Sequence, residues 1–242
     1  MKKVSFFILF AIVISNISYS QETKYFDAPF GGGGGFIPGW FFSNADELNN
    51  RLTTIGLDKL SSSGIFTTGG GGFIYIGFIP HLRIGGMGFG GSASNDKLIG
   101  NERYESVYNL SGGGLTVEYS LNIIGDVGIS LGVLLGGGQL KIDLYKNSGN
   151  FTWENLWDEF SSNNSANFHR EIQNNFWIFS PMLNIDIPIN RFIVFRLGGG
   201  YQLTFGENWT VDNDRSLVNV PEKLNAKGFF LQSGIFFGFF SF

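Results

Sequence analysis

The sequence predicts an all-β chain that closes into an eight-stranded antiparallel up-and-down transmembrane β-barrel. Short turns are expected at one end, and long loops carrying short helices at the other. Three observations lead there. The 242-residue chain is 43% hydrophobic and only 15% charged, where soluble domains average about 25% charged residues. Its apolar residues alternate with polar ones over many short segments, which is the period of a strand with two unlike faces. The links between those segments alternate between tight and long, as in barrels whose turns lie on one side of a membrane and whose loops lie on the other.

Residues 1–20 read as a signal peptide and 21–242 as the barrel. Lys2 and Lys3 precede an apolar run from Val4 to Ile14, and Ser18-Tyr19-Ser20 supplies a small-x-small cleavage site. The run falls short of the about 20 apolar residues a spanning helix needs. Export removes two lysines and takes the formal charge from −4 to −6. Nothing in that balance offers a footprint for nucleic acid. Cysteine is absent, so no disulfide, lipid-anchored thiol or thiolate metal site is expected.

Strands are expected at 24–37, 65–79, 82–94, 105–124, 128–145, 174–189, 192–205 and 226–242. The clearest sets Leu115, Val117, Tyr119 and Leu121 against Thr116, Glu118, Ser120 and Asn122. Tight links fall at Pro80-His81, Gly125-Asp126-Val127 and Asn190-Arg191, and long links at 38–64, 95–104, 146–173 and 206–225. In the first long loop, Ser43 and Asn44 followed by Asp46 and Glu47 mark a helix start. That helix, at about 44–55, has Leu48, Leu52 and Ile55 on one face, suited either to covering a loop core or to capping the barrel mouth. In the third loop Trp153, Leu156, Trp157 and Phe160 share a helical face, suited either to covering a loop core or to lying on the outer leaflet.

Eight strands leave an interior just wide enough for side chains to fill. Arg83, Glu118, Asp186 and Arg196 fall on the inward parity near tight turns. They predict a structural network of two arginines opposing two carboxylates, because buried charges must be paired. Glycine runs at 31–35, 69–72, 112–114, 136–138 and 198–200, with a looser set at 85–91, predict a level belt near the outer rim. Apolar parity changes across 136–138, from Ile129, Leu131, Val133 and Leu135 to Leu140, Ile142 and Leu144. A bulge there would account for the slip.

The last fifteen residues, Gly228 to Phe242, form an aromatic strand ending on phenylalanine. Here the chain resembles the small eight-stranded bacterial outer-membrane barrels of the OmpA, OmpX and OmpW type. The resemblance is architectural and covers most of residues 21–242. It implies that Phe240 and Phe242 belong to the signal read by the barrel-assembly machinery. Within the last strand, apolar residues occupy both parities, so its lipid-facing side stays open.

Catalysis is not expected. His81 lies in a tight turn, and His169 lies in the third loop near Asp158, Glu159, Ser161, Ser162 and Ser165. Sequence proximity does not make a triad, and no Gly-x-Ser-x-Gly elbow is present. Asp212-Asn213-Asp214 lacks the glycine and closing glutamate of a calcium loop. No cofactor or metal is expected. The expected role is that of a monomeric outer-membrane protein of structural or surface-interaction type, not an open pore, whose partners are outer-membrane lipids. Alternatives are a carrier of a small hydrophobic ligand held under the first loop, and a lipid-modifying enzyme.

Overall fold

A computed structural model describes residues 30–43, 45–60, 64–124, 127–148, 152–161 and 167–240. The expected signal segment and Phe242 lie outside the described residues. Strands β1 (Gly31–Phe36) and β2 (Gly39–Ser43) lead to helix α1 (Asp46–Thr54). After them come β3 (Ile65–Tyr75), β4 (Leu82–Ile99), β5 (Glu102–Ile124) and β6 (Val127–Ser148). Helix α2 (Trp153–Ser161) precedes β7 (Phe168–Asn190), β8 (Ile193–Val211), the short β9 (Arg215–Ser216) and β10 (Gly228–Phe240).

Each sequential pair from β3 to β8 is antiparallel, β8 pairs with β10, and β1 and β2 both lie between β10 and β3. β1 and β2 are therefore one stave interrupted at Ile37-Pro38, and eight staves close the ring. Pro38 has no N–H to give a neighbouring strand, but its carbonyl still accepts from the Ser233 N–H at 2.9 Å. This stave reaches Ser43, so the first long link begins later than the expected residue 38.

A second correction concerns the links. β4 and β5 run on through the expected loop 95–104 and meet at Gly100-Asn101, so tight and long links do not alternate throughout. Gly100 adopts φ +65°, the left-handed conformation that a two-residue hairpin turn exploits. The polar run Ser94 to Lys97 reads as loop because this hairpin stands where water meets both faces.

β5 and β7 have 23 residues each, whereas about 9–11 suffice to cross a bilayer. The extra length has its own packing. In the turn-end half of β5, Leu115, Val117 and Tyr119 face outward while Thr116, Glu118 and Ser120 are buried inside. In the loop-end half the same parity holds but the chemistry exchanges sides. Tyr108 and Leu110 are now buried inside, and Ser111 and Asn109 lie outside. β6 does the same, with Leu131 and Leu135 outward below and Leu140 and Ile142 inward above.

The apparent slip at 136–138 is this exchange. Gly112, Gly113 and Gly114 pair with Gly138, Gly137 and Gly136 in unbroken register, so no bulge exists there. Glycine fits because the walls come close: a Cβ at Gly114 or Gly136 would overlap the Leu135 or Gly113 carbonyl. Nor is the belt level. Gly34 pairs with Gly72, and Gly88 with Gly113, while Gly32 and Gly33 sit beside Phe239 and Gly238 at the turn end. The glycines form an oblique band over β1, β3, β4, β5 and β6.

The last strand has two distinct faces. Phe229, Leu231, Ile235, Phe237 and Phe239 face outward, and Phe236 and Phe240 are buried inside.

Candidate functional site

The turn-end half of the barrel encloses a four-charge centre. Arg83 enters from the first residues of β4, Glu118 from β5, Asp186 from β7 and Arg196 from β8, all on inward parity and all buried. The Arg196 Nε donates to Asp186 Oδ1 at 2.6 Å, its Nη2 to Asp186 Oδ2 at 3.0 Å and its Nη1 to Glu118 Oε1 at 2.9 Å. The Arg83 Nη1 donates to Asp186 Oδ2 at 2.5 Å, and its Nε stands 3.8 Å from Glu118 Oε2. The Ser130 hydroxyl adds a donor to Glu118 at 3.3 Å. Register explains the meeting: Arg83 is the direct cross-strand partner of Glu118, and Asp186 that of Arg196. Opposite charges on paired inward positions stabilise the sheet as well as each other.

Aromatic rings close over this centre. The Arg83 guanidinium lies 4.9 Å from the Phe73 ring centroid, and that of Arg196 lies 4.7 Å from Phe73 and 4.9 Å from Phe236. Phe240 packs on Phe73 with centroids 6.0 Å apart. Cation–π contact strengthens once water is excluded. Phe73 and Phe236 are site residues that sequence reasoning missed. The available signal was the apolar filling of both parities in the last strand, since the inner set is there to cover guanidinium groups.

Above the charges lies a thin crevice bordered by Ile37, Phe41, Met87, Met182, Gln202 and Gln232, with room for about two waters. Higher still, an apolar plug fills the loop-end half. Leu48 and Leu52 of α1, with Leu57 and Leu60 just after it, pack against Tyr108, Leu110, Leu140, Ile142 and Phe176 of the wall. The Leu60 N–H donates to the buried Asn49 Oδ1 at 2.8 Å, tying the descending segment to the helix. Ile55 does not join this face. It follows the last helical residue, the chain turns at Gly56 with φ +88°, and its side chain is 51% exposed. The helix starts from Ala45 without a side-chain cap, so the expected start signal is not used.

Among the described residues, α2 covers no loop core. Trp153, Leu156, Trp157 and Phe160 are all exposed, with Trp157 set edge-on to both Trp153 and Phe160. His169 does not meet α2's polar side: its Nε2 is 3.4 Å from Asp143 Oδ1, and its ring stacks on Tyr145 at 4.4 Å. The carboxylate beside it comes from cross-strand pairing, not from the neighbouring sequence. The Ser161 hydroxyl donates to the Asp158 carbonyl at 3.0 Å, while Ser162 and Ser165 lie outside the described residues. His81 packs edge-on to Tyr119. Asp212 accepts from the Glu171 N–H at 3.0 Å and pairs with Arg170 at 3.0 Å, which occupies its carboxylate in holding the hairpin. Among the described residues no cluster of three or more acidic or imidazole groups forms a metal site.

No family model matches the chain, and no curated protein matches it. Among solved structures it is similar to Ail, the attachment invasion locus protein of Yersinia pestis, in complex with the heparin analogue sucrose octasulfate. Identity there is 11% over 87% of this chain and 99% of that one, with a TM-score of 0.42. A second structure of Ail gives 12% over 87% and 97%, with a TM-score of 0.37. A major outer membrane protein from Thermus thermophilus gives 10% over 86% and 99%, with a TM-score of 0.43. The likeness is one of fold.

Proposed function

We propose that the chain is a monomeric integral outer-membrane protein with a structural or surface-interaction role, and that its barrel is not an open pore. The observation that carries this is the double seal inside the wall: the Arg83, Glu118, Asp186 and Arg196 centre below, and the α1 plug above. A water-filled path through eight strands has to pass both. Placement in a membrane is supported by the apolar outward row, including Leu115, Leu131, Leu183, Leu197 and Ile235, since only a sheet without free edges tolerates hydrocarbon. On this reading the surrounding lipids are its first partners, and Phe240 and Phe242 serve the assembly machinery during insertion. The interior's thin crevice offers little to the carrier alternative.

Reconstitution tests the proposal. The folded chain should migrate faster than its boiled form on detergent gels and show no steady conductance in planar bilayers. A stable channel of reproducible conductance would overturn the closed-barrel role.

A further inference from the structure

On the outer face of β4 to β8, two neighbouring rows of residues differ sharply from those around them. Ser111, Gln139, Asn175 and Asn208 are successive cross-strand partners and form an outward row of polar groups. The row immediately below runs Gly88, Gly113, Gly137, Trp177 and Phe205. Beneath that comes the apolar surface of Leu115, Leu135 and Phe179. Counting about 3.3 Å per residue and a tilt near 40°, Gly137 and Trp177 stand roughly 25–33 Å above the turns. An apolar band about 25 Å tall ends at that level, where an aromatic girdle is expected.

The glycines of this row are not all required by the wall. A Cβ at Gly137 would meet nothing closer than the Phe176 carbonyl oxygen at 3.7 Å, and one at Gly88 nothing closer than the Gly112 oxygen at 3.7 Å. Glycine weakens a strand, so bare backbone at positions with room for a side chain points outward for its reason. Next to the shelf, Gly206 takes φ +64°, and the register skips between Asn175 and Trp177, making a bulge of the kind that re-aims side chains. A Cβ at Gly206 would lie 3.2 Å from Trp177 Cδ1, so the bulge lets the indole lie against the backbone. Trp177 is 69% exposed. The result is an open, shallow groove floored by Gly137, Gly138 and Gly206 and walled by Trp177, Asn175 and Asn208.

We infer that this groove holds the uncharged sugar headgroup of a lipid in the outer leaflet. An indole face suits the C–H face of a pyranose ring. Amides offer donors and acceptors together, which is what a ring of hydroxyls requires. Gln139 Nε2 already donates to Asn175 Oδ1 at 3.1 Å, a contact that engages the Asn175 oxygen and does not use its amide N–H groups. Charge argues against an anionic ligand: Lys141, two residues along β6 from Gln139, is engaged by Glu171 and by Asp143 at 3.7 Å. The apolar row directly below carries the acyl chains, which makes the sugar lipid-borne. The inference rests on the proposed membrane placement.

The test uses the full mature chain in amine-oxide micelles, titrated with dodecyl maltoside while the Trp177 indole and Asn175 and Asn208 amide signals are followed by NMR. Those signals should shift and saturate. Gly137→Leu, which fills the shelf without disturbing the wall, should weaken the response at least tenfold, and Trp177→Ala should abolish it at both amides. Gly34→Leu, an outward glycine on β1 away from the groove, should leave it unchanged. Free maltose at equal concentration should shift nothing. A response equal in wild type and Gly137→Leu, or no saturable response, overturns the site. An equal response to free maltose overturns the lipid-borne source. Flotation with phosphatidylcholine vesicles runs in parallel. A chain that floats yet ignores maltoside sinks this inference alone, and one that does not float sinks the membrane reading beneath it as well.

Discussion

Arg196 holds both carboxylates of the centre, whereas Arg83 makes one close contact and leans on rings. Removing one member of a buried ion network strands the others, at about 3–5 kcal/mol. Arg196→Met should therefore lower unfolding stability in vesicles by about that much, measured by urea titration. Replacing all four charges with apolar residues of similar size should cost far less, because no charge is then left unmet. At the far rim a different pair titrates. A hydrogen bond from Lys146 and another from the Tyr104 hydroxyl hold the Glu102 carboxyl below its ordinary 4.5. A depressed folded value means the contact's contribution is complete above the unfolded value and is lost as pH falls through the folded one. Lys146 is raised, mainly by the hydrogen bond to Glu102, so its share is lost only as pH rises past the lysine range. Amide protection factors at the tips of β5 and β6 should therefore fall in acid, at pH values below the ordinary 4.5 of a Glu carboxyl, while the strands around Asp186 stay protected. Unchanged tip protection in acid would refute the pairing.

Elements differ in how tightly their glycines are bound to the wall. Gly136 sits hard against the Gly113 carbonyl, while its neighbour Gly137 faces outward with room to spare. Gly136→Ala should destabilise by about 1–3 kcal/mol. Gly137→Ala should be neutral or should stabilise by about 0.5–1 kcal/mol; denaturation midpoints of the two variants decide it. The plug is separable from the barrel in the same way. Leu52 is 2% exposed, and a buried carboxylate there is unpaired. Leu52→Asp should expel α1 and expose residues 44–64 to protease while the heat-modifiable barrel persists. Loss of the barrel itself would show that α1 is part of its folding core. Ile55 illustrates what helical periodicity misses: spacing places it on the apolar face, but a glycine one residue later ends the helix before that face reaches it.

Across the whole molecule, strand number, the tight β7–β8 link and the inward placement of charges were legible because parity and distance from a tight turn are both readable along a chain, whereas β3 ends at Tyr75 and its link to β4 takes residues 76–81 in place of the expected Pro80-His81. The loop-end half was not. There the chain keeps its strand geometry after leaving the apolar band, and its interior takes the greasy residues while its exterior takes the polar ones. A reader of alternation sees Leu135 and Leu140 on opposite parities and infers a displaced strand, whereas the surroundings have changed and the strand has not. Asn95 to Lys97 looked like loop for a different reason, since near the tip of the β4–β5 hairpin both faces of the strand are exposed. Phe73 and Phe236 escaped notice for a related reason: aromatic residues inside a membrane barrel look misplaced until two guanidinium groups are set beneath them.

The hairpin that ends at Gly100-Asn101 projects from this upper storey as a stiff spur. A Cβ at Gly100 would meet nothing within 4 Å, and the paired backbones of β4 and β5 lead up to it without a break in register. A foreign peptide grafted at that tip would stand above the apolar band, presented on a scaffold that needs no change in either seal below.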